Sequence, residues 1–148
     1  MRVIALLICA CVVAAGAPIV AADDAEKRGT EVDGIWKLIR YIENGKPRED
    51  IVKQNYVIVR KDGVQEIKKD GKPFSKSKFK VDPSKSPKHI DFLGDSGDSE
   101  ALGAYEIKDG QMRLAMRADP KKQKTKRPGD LKEAEGIIIA VYERVKDK

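Results

Sequence analysis

The chain has 148 residues, of which 36% are charged and 5% aromatic, and its formal net charge is +6. That is room for about one domain with a core large enough to need no disulfide, and the small basic excess favours anionic partners without bearing on the fold. It has one histidine, His89, and its two cysteines, Cys9 and Cys11, both fall in the apolar N-terminal stretch. The remainder therefore lacks thiols and nearly lacks imidazoles, the side chains that carry most nucleophilic and general-base chemistry, and a non-catalytic protein is expected.

Arg2 precedes an uncharged, mostly apolar run from Val3 to Ala22 that ends in Val20-Ala21-Ala22, just before Asp23-Asp24. A basic start, an apolar middle and small residues at the end form the pattern of a bacterial-type secretory signal. The pattern predicts a signal peptide over 1–22, a polar flexible leader over 23–31 and a single domain over 32–148. The mature protein is then exported to the periplasm or beyond, with no stable membrane insertion after cleavage. The minor alternative is an uncleaved anchor, since the run is long enough to span a bilayer. Against it, Gly16 and Pro18 interrupt the run, which then thins to alanines. A lipid anchor fits less well, because Ile8 precedes Cys9 where a small residue is expected, and the apolar stretch before Cys11 is very short.

From Val32 onward, turn chemistry recurs at short intervals. It appears at Asn44-Gly45-Lys46-Pro47, Asp62-Gly63, Asp70-Gly71-Lys72-Pro73, Asp82-Pro83-Ser84, Gly94-Asp95-Ser96-Gly97 and Asp109-Gly110. Asn-Gly and Asp-Gly between alternating segments signal hairpins, because both central residues of a type I′ turn need positive φ. Between the turns, apolar residues recur with period two. Ser77, Phe79 and Val81 share one face, as do Ile90 and Phe92, Gly103, Tyr105 and Ile107, and Met112, Leu114 and Met116. Such alternation marks strands with one dry and one wet face. Ile35–Glu43 and Ile137–Val145 are more apolar and are expected at well-covered positions.

This pattern predicts eight strands, near 34–43, 55–61, 64–69, 74–81, 88–93, 102–108, 111–117 and 136–145, with a short helical turn over Glu49–Gln54. Eight short strands with mostly short connections predict an all-β fold, an up-and-down antiparallel barrel.

Gly34-Ile35-Trp36 at the head of the first strand resembles the lipocalin signature. The resemblance implies that Gly34 and Trp36 close one barrel end, with Arg144 from the last strand packed over the indole. More closely, the chain resembles a lipocalin-like domain family of unknown function that is expanded in planctomycete bacteria. The matching stretches are Gly34–Lys37, Glu43–Pro47, Val81–Asp91, Leu102–Ile107 and Arg127-Pro128, in order along nearly the whole of 32–148. The chain departs from that family after Pro128, where Gly129-Asp130-Leu131 stands in place of a nearby Phe, and in its unusually basic insert 121–127. The resemblance implies a lipocalin-like fold and an exported location; it carries no ligand or activity.

Few residues offer chemistry. His89 and Asp91 share a strand face, but two groups do not make a metal site, and they read as a wet-face pair. Asp95, Asp98 and Glu100 lack the full spacing of a calcium loop. No metal and no cofactor are expected. Lys121, Lys122, Lys124, Lys126 and Arg127 put five cations into seven residues, a candidate contact for an anionic envelope component. No aromatic residue interleaves them, which argues against nucleic acid. The inward face supplies Trp36, Arg40, Phe79, Tyr105, Met112 and Met116 as candidate ligand-binding residues, with Leu114, Ile90 and Phe92 beside them. The same side chains suffice to fill the barrel, which at eight strands is only just wide enough to need filling. Arg40 is placed on the inward face with Trp36, Leu38 and Ile42, where it needs a partner or an anion. The sequence therefore predicts a monomeric, exported binding module for a small, partly apolar ligand. The alternative is a structural or interaction protein that uses loop 121–127 on an acidic envelope component.

Overall fold

The computed structural model describes residues 31–146. The signal expected over 1–22, and all but the last residue of the leader expected over 23–31, lie outside the described residues. Glu31, that last residue, is already held against the barrel: its carboxylate accepts from the Tyr105 hydroxyl and pairs with Lys88.

The strands are β1 (Gly34–Glu43), β2 (Lys46–Pro47), β3 (Tyr56–Lys61), β4 (Val64–Lys69), β5 (Lys72–Asp82), β6 (Lys88–Leu93), β7 (Ser99–Lys108), β8 (Gln111–Arg117) and β9 (Ile137–Val145). Two single-turn helices, α1 (Glu49–Val52) and α2 (Pro120–Gln123), lie in the connections. Every neighbouring pair is antiparallel, in the order β2-β1-β3-β4-β5-β6-β7-β8-β9, and β1 also pairs with β9. That last pairing closes the sheet into a barrel of eight staves, with the two-residue β2 a spur on β1. Closure removes the two long open edges that an eight-stranded sheet would otherwise present to another chain.

The turns explain the meander. Asn44-Gly45, Asp62-Gly63, Asp70-Gly71 and Asp109-Gly110 all have positive φ at both central residues, the type I′ geometry whose twist matches that of the flanking strands. Connections this tight leave successive strands nowhere to go but beside each other.

The core has two parts. Inside the barrel, Trp36, Leu38, Ile58, Phe79, Ile90, Tyr105, Met112, Leu114, Ala140 and Tyr142 pack with Val32. Outside it, Ile42, Ala115, Ile137, Ile139 and Val141 form a second cluster against Leu131. Leu131 comes from the β8–β9 connection, which folds back over the outer face. Both faces of β9 are thus covered, which is why Ile137–Tyr142 is one unbroken apolar run, buried throughout.

Two departures from strict alternation matter for the site. The β1–β9 register slips between Leu38 and Arg40, so Ile39 is an extra residue and the faces exchange beyond it. Trp36 and Leu38 point inward before the bulge; after it Tyr41 packs on the inner cluster while Ile42 joins the outer one. On the far wall, β6 pairs with β5 only from Lys78–Leu93 to Asp82–His89. Among the described residues, Lys72–Ser77 therefore has no strand on its β6 side.

Candidate functional site

One end of the barrel is closed by a stack. Trp36 is completely buried, and its indole N–H donates to the Val32 carbonyl at 2.8 Å. The Arg144 guanidinium lies 4.3 Å from the centre of the Trp36 ring. It also donates to the carbonyls of Asp33, at 2.8 Å, and Glu31, at 2.6 Å. Gly34 has φ +123°, a backbone conformation that calls for glycine, and the Arg144 Nη1 packs 2.9 Å from where a Cβ would stand. Tyr105 reaches the same end; burial and then the hydrogen bond to Glu31 push its phenol well above the usual range.

The candidate interior residues divide. Phe79, Tyr105 and Met112 are buried on the inner face with Trp36, and Met116 packs half-buried against them. Arg40 is corrected: its side chain is 55% exposed and pairs with Glu133 at 3.4 Å outside the barrel. The bulge at Ile39 is the reason, because it turns the residue that strict alternation places inward onto the wet face.

The buried cation of this barrel is instead Arg60, which the sequence reading missed. It is the last residue but one of β3, beside Lys61, where a charge reads as solvent-facing, yet it shares strand parity with Tyr56 and Ile58 and stands opposite Gly34 in register. Arg60 is 1% exposed. Its Nε donates to Gln65 Oε1 at 3.1 Å and its Nη1 approaches Met112 Sδ at 3.0 Å. The Phe79 and Phe92 ring centres lie 5.6 Å and 6.0 Å from the guanidinium carbon. Nη2 is buried with no hydrogen-bond partner, and among the described residues no carboxylate pairs with the group. Burial pushes the guanidinium down to about 10, against which the Tyr142 and Tyr105 phenols and Asp33 act from a distance. At neutral pH it is still a cation.

Gln65 passes this polar contact on: its Nε2 donates to Ser77 Oγ at 3.0 Å. Ser77 lines an open cleft of about 630 Å³ with Val64, Lys76, Lys78, Leu93, Gly94, Asp95 and Glu100. The cleft lies where the β5–β6 ladder stops. A short chain of hydrogen bonds therefore runs from this side opening, through Ser77 and Gln65, to the buried guanidinium.

The basic loop is split as well. Asp119 caps α2 by accepting from the Lys121 backbone N–H at 2.9 Å, and Lys121, Lys122, Lys124 and Lys126 are exposed. Arg127 is corrected: it turns inward, pairing with Asp91 at 2.5 Å and donating to the carbonyls of Ile90, at 3.1 Å, and Gly103. The charge is consumed in fastening the long connection to β6 and β7, and it is not free to meet an outside anion. Asp91 is thereby committed too, while burial, followed by the Arg127 charge, lowers the His89 pKa.

No family model, curated protein or solved structure matches this chain. What can be read from the site is therefore its own chemistry: a cation held among aromatic rings, a thioether and aliphatic side chains, linked to a cleft in the barrel wall.

Proposed function

We propose that the protein is an exported, non-catalytic binding module that takes a small, partly apolar ligand through the side of its barrel. The observation that carries this reading is the interrupted β5–β6 ladder. It leaves the 630 Å³ cleft between β5 and the β6–β7 connection, joined to the barrel interior by the Ser77 and Gln65 side chains. A volume of that order suits a small molecule, and Met112 is the kind of flexible side chain that can make way for one. Export rests on the sequence of residues 1–22.

The test is titration of the 23–148 chain with the neutral apolar fluorophore N-phenyl-1-naphthylamine. Saturable enhancement at one site per chain is expected, and its absence contradicts the reading. A second reading rests on the four exposed lysines of the β8–β9 connection, which present a cluster of positive charge to an acidic envelope polymer. It predicts salt-sensitive binding to a polyanion that disappears when Lys121, Lys122, Lys124 and Lys126 are changed to Gln.

A further inference from the structure

We infer that the β4–β5 hairpin seats the protein on an anionic lipid bilayer, with the Phe74 ring entering the interface and the surrounding lysines facing lipid phosphates. The inference is independent of the ligand reading above and concerns a different part of the molecule. Lys68–Lys80 holds six lysines and one carboxylate, Asp70. Among the described residues, the lysines that pair with carboxylates are Lys53, Lys88, Lys122 and Lys132, and none of them belongs to this hairpin. Asp70 is engaged at the turn, where its Oδ1 accepts from the Asn55 side-chain amide at 3.1 Å.

The hairpin's place in the fold presents it to the outside. Lys69 is paired with Tyr56 at the start of β3, while Gly34 is paired with Arg60 near its end. The Asp70-Gly71 turn therefore lies at the barrel end away from the Trp36–Arg144 stack. There Lys72–Ser77 runs past the β5–β6 ladder. The β4–β5 register passes from Lys68–Pro73 to Ile67–Ser75, which makes Phe74 the extra residue of a bulge. Phe74 is 60% exposed, against 41% for Val145 and 37% for Ile39, the other exposed large apolar residues. Its ring is propped edge-on against Tyr56, with centres 5.6 Å apart, and the Lys69 ammonium lies 6.0 Å from the centre of the Tyr56 ring. Lys69 and Lys72 face each other across the turn, Lys68 stands opposite Pro73, and Lys76 follows two residues after the ring.

This combination selects its partner. Lysine, proline and a bulge are what exposed strand edges carry to keep other strands from adding, so an extended peptide is a poor occupant. Those devices do not require an exposed phenyl ring, whose hydration is unfavourable. A soluble polyanion would be held by the lysines and would leave the ring in water. A bilayer with anionic head groups engages both, because aromatic rings settle at the interface while nearby lysines meet the negative surface potential. Contact through one hairpin tip leaves the rest of the barrel in water, so nothing spans the membrane.

The experiment cosediments the 23–148 chain with sucrose-loaded vesicles of phosphatidylcholine, with and without one part in three of phosphatidylglycerol, and measures binding to dextran sulfate beside it. Binding is expected to the phosphatidylglycerol vesicles and not to phosphatidylcholine alone. Changing Lys68, Lys69, Lys72 and Lys76 together to Gln should weaken it by at least about a hundredfold, at about fivefold per lysine. Phe74→Ser should weaken vesicle binding about tenfold and leave dextran sulfate binding unchanged, while Phe74→Leu should keep most of the vesicle affinity. Absence of binding to the phosphatidylglycerol vesicles overturns the inference. So does vesicle binding indifferent to Phe74→Ser, which is attraction to any polyanion, and so does binding that follows Lys121, Lys122, Lys124 and Lys126 in place of the hairpin lysines. An equal loss of dextran sulfate binding in Phe74→Ser also overturns it, since the ring would then serve the hairpin's shape and not a bilayer.

Discussion

The two opposite walls of the barrel are built to different standards. At the β1–β9 seam the ladder runs from Ile35–Val145 to Glu43–Ile138, its inner side holds Trp36 and Leu38, and its outer side is covered by the Leu131 cluster. Arg144, Gly34 and Glu31 lock its end. Four strands away on either side, the β5–β6 wall has a ladder confined to Lys78–Asp82, a cleft above it, and a buried cation with an unmatched donor behind it. The first wall is fastened through its own residues, the Arg144 guanidinium donating to the Asp33 and Glu31 carbonyls and the Trp36 indole to that of Val32. The second buries a cation with one donor unmatched, and carries an open cleft. Arginine serves both: Arg144 is placed over a ring at the rim with two carbonyls to receive its protons, Arg60 between rings inside with too few acceptors.

If the seam holds the fold and the far wall holds the function, substitutions should sort accordingly. Trp36→Ala should cost about 3–5 kcal/mol of unfolding free energy in a denaturant titration, as for other large core truncations. Arg144→Ala removes a stacked cation and two hydrogen bonds at a partly exposed site, and should cost about 1–2 kcal/mol. Arg60→Met, though it alters a more deeply buried residue, should leave stability unchanged or raise it by about 1 kcal/mol, because an apolar side chain of similar length escapes the desolvation penalty. A large loss there would show that Arg60 belongs to the structural wall and would erase the contrast.

Smaller effects sharpen the same picture. Burial raises the Asp33 pKa, so the folded state holds its proton more tightly than the unfolded chain. That contribution is present at pH below the ordinary carboxylate range and is lost as pH rises through the raised value. Asp33→Asn should therefore be slightly more stable than the wild type at neutral pH, with the advantage fading on acidification, as thermal melts across pH can show. Changing Lys121, Lys122, Lys124 and Lys126 together to Gln should move stability by less than about 0.5 kcal/mol, as expected for exposed charges. Arg127→Gln should cost more, since that side chain fastens the connection.

The barrel was legible because its sequence repeats one physical statement. Asp-Gly turns with period-two segments between them define hairpins locally, and eight in a row leave a closed meander as the economical arrangement. The Trp36–Arg144 pair was legible only through resemblance, since nothing local joins residues at opposite ends of the chain. What was misplaced follows from interactions that have no local signature. Arg40 was assigned to the interior by counting in twos across Ile39, and a bulge set by the β9 register cannot be counted. Arg127 was read with the lysines it follows, although its partners, Asp91 and the carbonyls of Ile90 and Gly103, come from strands far back in the chain. Arg60 was overlooked because a charge beside Lys61 at a strand end is ordinarily solvated; its parity with Tyr56 and Ile58 was the available signal.

The most direct measurement follows nitrogen-attached protons by NMR while N-phenyl-1-naphthylamine is added to the 23–148 chain. The Arg60 Nε–H, the Gln65 side-chain amide and the Ser77 backbone amide should shift together and saturate, while the Trp36 indole N–H and the Arg144 Nε–H stay in place. Shifts confined to Lys121–Lys126, or a response centred on Trp36 and Arg144, would place the ligand elsewhere and contradict the assignment of function to the β5–β6 wall.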